Sequence, residues 1–376
     1  MNKILLISGF VTDTYSEIEK SLVELTLYTN KKKEKEIIWL VPNIENKYNR
    51  YKNKELYDSL NEPIYVSKLR EKNIKMIEYN ISKYNIVKNF VELRKIVKDN
   101  NISTIYTHFG FERFHAAFIG TLLGIRVLWN EHWFSLSTKF SGIKKIFYKY
   151  FVDEFICISK CIHDSIESNN KYLIYNGINI KDKKDLSLKE RNNICKILGV
   201  EENKKNVVMV AAFRKEKRHD LAAKIIKKVV NEMNNVQFIL LGDGELKKSF
   251  EEDVLSIENN KNIKIMGHVN NVEEYYKISD LAMLTSLDEP FGYAVVEAMS
   301  YSIPFISFNN GGPTEIIDNG KDGYLIEEHN IDEFAKKIID ILNDEEKMQY
   351  IGKNAGEKIE NKFNRNLWIK SVYNIL

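Results

Sequence analysis

Ser286-Leu-Asp-Glu-Pro-Phe-Gly-Tyr-Ala-Val-Val-Glu297 follows the apolar run Leu281–Leu284, with Thr285 between them. A short apolar run bounded by turn residues reads as a buried strand. Pro290 and Gly292 break it, and the spacing predicts a helix from about Tyr293. Glu289 then sits on the loop at the strand's carboxyl end, and Glu297 in the first two helical turns. Backbone N–H groups around Phe291, Gly292, Tyr293 and Ala294 lack partners within the helix, and the helix dipole favours an anion there. Taken alone, two glutamates so placed are ordinary surface or helix-terminus residues. Beside anion-binding N–H groups, however, a carboxylate can take both hydroxyls of a diol at once.

Outward from this stretch, strand patterns alternate with helical ones. Ile4–Ser8, Ile37–Val41, Thr104–His108, Val127–Asn130 and Phe155–Ser159 read as strands, with helical periodicity over Asn80–Lys98 and Glu112–Leu123. Lys181–Lys205 is dense in polar residues and reads as an inter-domain connection. The alternation then restarts. Val207–Phe213, Val236–Leu241, Ile263–Met266, Leu281–Leu284 and Pro304–Phe308 read as strands, with a helix over His219–Val230 and another from Glu245. At 376 residues the chain exceeds one typical domain. The expected fold is α/β, with two Rossmann-like doubly wound domains facing a central cleft. Residues 1–180 form the first, 181–360 the second, and 361–376 a closing helix packed back on the first domain, with Leu367, Ile369 and Val372 as its apolar face. Ligands of such sheets bind at the carboxyl ends of the strands.

Composition narrows the function classes. Hydrophobic residues are 44% of the chain, which excludes a disordered protein, and a net charge of +3 spread among interspersed Lys and Glu does not call for nucleic acid. Cys157, Cys161 and Cys195 are too few for a disulfide framework and lack zinc-site spacing, which fits a reducing compartment. The apolar run near Met1 is too short for a signal peptide or a membrane span, so a cytoplasmic location is expected. Lys139–Phe151 interleaves bases with aromatics. It reads either as a core-packed helix with a basic outer face or as a peripheral contact with the cytoplasmic membrane face.

The segment from Glu289 through Glu297 to Gly311-Gly-Pro-Thr-Glu315 resembles the signature of retaining glycosyltransferases of family 4, which have the GT-B fold. Glu289 and Glu297 match its glutamate pair, with seven residues between them, and Gly311, Gly312, Pro313 and Glu315 match the later turn. Tyr175-Asn-Gly-Ile-Asn179 looks like the Asn-Gly element that ends the family's first domain. Gly242-Asp-Gly244 is similar to the turn after the second strand of the donor domain, Gly267-His268-Val269 to the segment that meets the nucleotide base, and Asp322–Ile326 to the closing strand. Gly242-Asp-Gly also begins like a dinucleotide fingerprint, but the third glycine and an acidic ribose partner are missing. The resemblance puts Lys217 at the family's phosphate-binding lysine. The companion arginine position, five residues earlier, is Ala212, and Arg214 is the substitute on the same loop. His132 matches a histidine that faces the donor sugar and phosphate, and His108 ends the neighbouring strand on the acceptor side. Gly9 stands near the end of the first strand, where many relatives carry Gly-Gly. Here no Gly-Gly occurs, and Tyr15 and Ser16 are read as occupying the equivalent place.

The resemblance implies transfer of a hexose-type sugar, with retention, from a nucleotide-diphosphate sugar (UDP- rather than GDP-) to a glycan or lipid-linked acceptor in cell-surface polysaccharide synthesis. His132, Lys217, Arg214 and Glu289 would be catalytic. Donor binding would fall to Glu297, Phe291, Gly292, Tyr293, Gly242, Gly244, His268, Val269 and Gly9. No Asp-x-Asp occurs, so no metal and no cofactor is expected, and the cationic loop would stabilise the diphosphate instead. A phosphorylase, a nucleotide-sugar epimerase and a donor-binding subunit without activity are the alternatives. Turnover by the chain alone separates them.

Overall fold

The computed structural model describes residues 1–8, 15–42, 63–79, 85–110, 112–133, 141–180 and 186–376. The expected site residue Gly9 lies outside them. The chain divides into two compact units, Met1–Gly177 with Arg365–Leu376, and Ile178–Asn364.

The first unit is built on β1 (Asn2–Ile7), β2 (Lys35–Val41), β3 (Met76–Glu78), β4 (Ile102–Thr107), β5 (Arg126–Glu131), β6 (Glu154–Cys157) and β7 (Lys171–Leu173), in the order β3-β2-β1-β4-β5-β6-β7. All of its pairings are parallel. The central strands are apolar on both faces, as expected where helices cover both sides. On one face, Ile4, Leu6, Ile37 and Trp39 pack with Leu22, Leu25, Trp368 and Val372. On the other, Leu5, Ile7, Ile38 and Ile105 pack with Leu93, Val97 and Ile119.

The second unit carries β8 (Lys205–Val210), β9 (Val236–Leu241), β10 (Ile263–Gly267), β11 (Leu281–Leu284), β12 (Phe305–Phe308) and β13 (Gly323–Ile326), ordered β10-β9-β8-β11-β12-β13. Its strands are also parallel. The order reverses at β8, so the loops after β8 and β11 flank the switch point where ligands of doubly wound sheets bind.

Two expectations need correction. Lys181–Lys205 is not merely a connection, because Leu188–Leu198 is a helix of the second unit. Ser187 and Glu190 form a capping box at its start, Gly199 closes its end in the left-handed region, and Cys195 and Leu198 are buried. Arg191 ties it to Asp280 at 3.0 Å. Local capping thus makes a helix from a stretch whose polarity reads as linker.

The C-terminal helix Arg365–Ile375 does pack on the first unit, but its phase differs from the expected one. Leu367 is 44% exposed, and the buried face runs through Arg365, Trp368, Ile369, Val372 and Tyr373. Arg365, itself buried, sets this phase. Its guanidinium reaches Glu24 at 2.6 Å and also pairs with Glu17, both on the helix Glu17–Lys32.

Arg365→Ala removes a buried guanidinium from two partly exposed carboxylates, and chemical denaturation should show a loss of about 1–3 kcal/mol. A loss below roughly 0.5 kcal/mol, the scale of an ordinary surface substitution, would show that the apolar face alone docks this helix.

Candidate active site

Three strand ends of the second unit converge through backbone contacts that only glycine permits. Gly242 and Gly244, after β9, have φ of 146° and 155°. A Cβ on Gly242 would lie 2.0 Å from the Ala211 carbonyl oxygen, and one on Gly244 2.6 Å from that of Phe213. The Gly242 N–H donates to the Gly267 carbonyl (2.8 Å), and the Phe213 N–H donates to the Asp243 carbonyl (3.0 Å). Both glycines therefore hold the loop that leaves β8 in place.

That loop turns through the 3₁₀ segment Lys215–Lys217 and is pinned from β11. The Thr285 hydroxyl lies within hydrogen-bonding distance of the Lys217 and Arg218 carbonyls (2.9 and 3.1 Å), and the Leu287 N–H donates to the Glu216 carbonyl (3.0 Å). The outcome is an ion pair across 72 residues of sequence, with Lys217 Nζ 2.5 Å from Glu289 Oε2. Both side chains are largely buried, at 22% and 11% exposed.

Glu289 is held from its other side by the next loop. A Cβ on Gly311 would lie 2.3 Å from the Glu289 carbonyl oxygen, and one on Gly312 2.1 Å from that of Phe291. The Gly312 N–H donates to the Glu289 carbonyl at 2.7 Å. The helix opens at Tyr293 and runs to Ser300, and Gly292 precedes it at φ 107°. The Phe291 ring is buried, edge-on to Tyr293 at 5.3 Å. Phe291 therefore shapes the helix start from the core side.

Glu297 lies one turn further along, where Tyr276 donates to its Oε2 at 3.3 Å. Tyr276 is buried and stacked on Tyr301 (ring centroids 5.5 Å apart). Arg214 is exposed, and its carbonyl accepts from the Lys217 N–H at 3.0 Å. His268 is exposed and Val269 partly buried after β10. Arg218 adopts φ 50° and chelates Asp220 at 2.7 and 2.8 Å, which directs its charge toward its own helix. Sequence reasoning passed over Thr285 and Tyr276, because a hydroxyl that braces a loop or a carboxylate has no local pattern.

In the first unit, β4 and β5 end side by side in a buried polar cluster. His108 Nδ1 and His132 Nε2 are 2.9 Å apart, and Asn130 Nδ2 is 2.8 Å from the same His132 nitrogen. Tyr106 donates to Asn130 Oδ1 at 3.1 Å, and the Phe109 ring stacks on His132 at 4.3 Å. Glu131, fully buried, accepts from Tyr148, from the backbone N–H groups of His132 and Trp133 (3.2 Å each) and from Arg113 at 3.5 Å. Burial, the His132 ring and Arg113 hold His108 well below the usual histidine range. Burial and Arg113 bring His132 down to about 3. Of the expected first-loop residues, Ser16 caps the helix Glu17–Lys32 in a capping box with Glu19.

In the basic–aromatic segment, Ser141–Tyr150 is a helix. Tyr148 is buried and Phe147 meets Phe114 edge-on at 5.1 Å, whereas Lys145, Ile146, Lys149 and Tyr150 are exposed. Among the described residues, no helix is long and apolar enough to cross a membrane.

The histidines yield a pH prediction. His219, in the second unit, is also depressed by burial and Lys217, to about 4. These rings are neutral in the fold but protonate near 6.5 once unfolded, so their stabilisation is complete above pH 6.5 and is lost as pH falls toward 4. Each should cost up to about 2 kcal/mol at pH 5. The Tm should therefore drop between pH 7.5 and pH 5, and a flat profile would contradict the buried neutral assignment.

Residues 190–358 match the family model described as Glycosyl transferases group 1. An uncharacterized glycosyltransferase of Methanocaldococcus jannaschii is 29% identical over 351 residues, covering 88% of this chain and 91% of that protein. The Escherichia coli UDP-Gal:alpha-D-GlcNAc-diphosphoundecaprenol alpha-1,3-galactosyltransferase is 27% identical over 306 residues, covering 76% and 78%. Among solved structures, a glycosyltransferase from Rickettsia africae superposes with a TM-score of 0.81 at 19% identity, covering 100% of this chain and 97% of that one. Anabaena HepE in complex with UDP and glucose gives 0.80 at 16% identity, covering 100% and 99%. At these identities the structural likeness shows the fold, and the sequence matches carry the rest: the second unit belongs to the glycosyl transferases of group 1, and the chain is a glycosyltransferase of the GT-B fold.

Proposed function

We propose that the chain is a retaining hexosyltransferase of the family 4 type. It takes its sugar from a nucleoside-diphosphate donor, UDP- in preference to GDP-, without a metal ion, and passes it to a glycan or lipid-linked acceptor in cell-surface polysaccharide synthesis. The observation that carries this reading is the Lys217–Glu289 pair at 2.5 Å, set between a glycine-held loop and the start of the helix at Tyr293. A bound diphosphate draws Lys217 toward its oxygens, and Glu289 is then released to accept from a hydroxyl of the transferred sugar. Arg214 adds a second cation on the same loop. Glu297, already oriented by Tyr276, accepts from the ribose diol, and His268 and Val269 border the base. His132 contacts the transferred sugar and its phosphate.

The chemistry needs a stabilised leaving group. As the glycosidic bond breaks, negative charge grows on the diphosphate. A fixed cation and helix N–H groups oppose that charge without rearranging. The acceptor hydroxyl then bonds to the anomeric carbon from the leaving-group side, and its proton passes to the departing phosphate oxygen. The names of the Escherichia coli relative and of the Anabaena complex, each of which includes UDP, support a uridine donor. Exposed Lys145, Ile146, Lys149 and Tyr150 support peripheral contact with an anionic membrane face on the cytoplasmic side, where a lipid-linked acceptor is presented.

Turnover of a panel of UDP-, GDP- and ADP-sugars, with and without excess EDTA, tests the proposal. A UDP-sugar should be consumed at the same rate in EDTA, whereas activity abolished by EDTA and restored by Mg²⁺ would overturn the metal-free mechanism. Glu297→Ala removes a charged acceptor worth about 1.5–3 kcal/mol and should weaken UDP binding by roughly 10- to 100-fold. Unchanged UDP affinity would remove Glu297 from the ribose.

A further inference from the structure

The neighbours of the His108–His132 pair determine which ring nitrogens carry protons. The Tyr106 hydroxyl is fully buried, and among the described residues its one hydrogen-bond partner is Asn130 Oδ1 at 3.1 Å. Its proton goes there, because the reversed amide would leave that proton buried and unpaired. Asn130 therefore turns its NH₂ group toward His132, 2.8 Å from Nε2. An amide NH₂ can only donate, so His132 Nε2 is an acceptor. The same nitrogen faces His108 Nδ1 at 2.9 Å, which must then be an N–H donor.

A neutral His132 with a bare Nε2 holds its proton on Nδ1. That Nδ1 is buried without a partner among the described residues, and so is His108 Nε2. The neighbouring groups do not supply the missing acceptor. Arg113 is a cation engaged with Glu131 and the His108 carbonyl, Glu131 is taken up by Tyr148 and two backbone N–H groups, and Phe109 offers only a ring face. A buried donor left unpaired costs about 1–3 kcal/mol, so a site that keeps one is built to meet an acceptor from outside.

We propose that His108 and Asn130 are positioning residues that hold His132 as the neutral Nδ1–H tautomer, so that His132 presents a hydrogen-bond donor to an oxygen of the sugar or phosphate of the donor substrate. The inference rests on the proposed contact between His132 and the donor substrate. It concerns the proton inventory, which a histidine–ligand contact alone leaves open. Free imidazole favours the Nε2–H form, so the tautomer is a property imposed by this cluster and can be measured.

The test is ¹⁵N NMR of the full chain with labelled histidine, in which the His132 signal is assigned by its loss in His132→Gln. At pH 7.5 the wild type should show His132 protonated on Nδ1 and bare on Nε2. A spectrum with the proton on Nε2, or with an imidazolium, overturns the proposal without recourse to any further variant. Asn130→Leu removes the amide donor and should shift His132 toward a mixture of tautomers, because the His108 nitrogen can then accept as well as donate, and adding His108→Phe should carry the mixture further toward the Nε2–H form. An unchanged tautomer in Asn130→Leu removes Asn130 from the role, and a mixture that does not move on adding His108→Phe removes His108. With a donor sugar that is turned over, Asn130→Leu should lower kcat by roughly tenfold or more with little change in KM, as expected for a wrong tautomer. An Nδ1–H signal that does not move on adding that donor sugar would leave the tautomer standing and refute the substrate contact. A wrong tautomer alongside transfer lost in His132→Ala would do the reverse.

Discussion

Everything at the candidate site of the second unit depends on backbone lying directly against backbone. The loop that begins β12's exit runs so close to Glu289–Phe291 that no side chain fits at Gly311 or Gly312, and the turn after β9 presses equally close on Ala211 and Phe213. These contacts fix two loops that would otherwise wander independently. Because both are fixed, Lys217 and Glu289 meet at 2.5 Å although 72 residues separate them. An opposed charge pair in a partly buried place is strong enough to order both side chains, yet each remains available to a ligand that offers a better partner.

The two units use charge differently. In the second unit the ionic groups lie at the strand ends beside a helix start, where an arriving anion gains both a cation and aligned N–H dipoles. In the first unit the polar groups lie below the surface. Glu131 is fully buried and satisfied by Tyr148, Arg113 and two backbone N–H groups, while two imidazoles each keep one nitrogen without a partner among the described residues. One unit offers fixed charge, and the other offers uncharged, directional hydrogen bonding.

Much of this was legible in the sequence, for identifiable reasons. The alternation of short apolar runs with amphipathic helices marks a parallel sheet twice over, because strands buried on both faces need unbroken apolar runs. Pro290 and Gly292 mark the strand end and the helix start because each residue type restricts or frees the backbone locally. What escaped was non-local or a matter of phase. Leu188–Leu198 reads as linker until its capping box and its tie to Asp280 are seen. Leu367 looks as apolar as Trp368, and only Arg365 reaching Glu17 and Glu24 selects the buried face. The Tyr106–Asn130–His132–His108 chain joins two strands 24 residues apart and leaves no periodic trace.

The central claim is that Lys217 is held by Glu289 in order to be handed to a diphosphate. Calorimetric titration of UDP and UMP into the wild type and Lys217→Ala, in EDTA, tests it most directly. The account predicts that Lys217→Ala weakens UDP by roughly tenfold or more, the scale of a charge-assisted hydrogen bond, and leaves UMP nearly unchanged. Equal losses for UDP and UMP, or none for either, would contradict it.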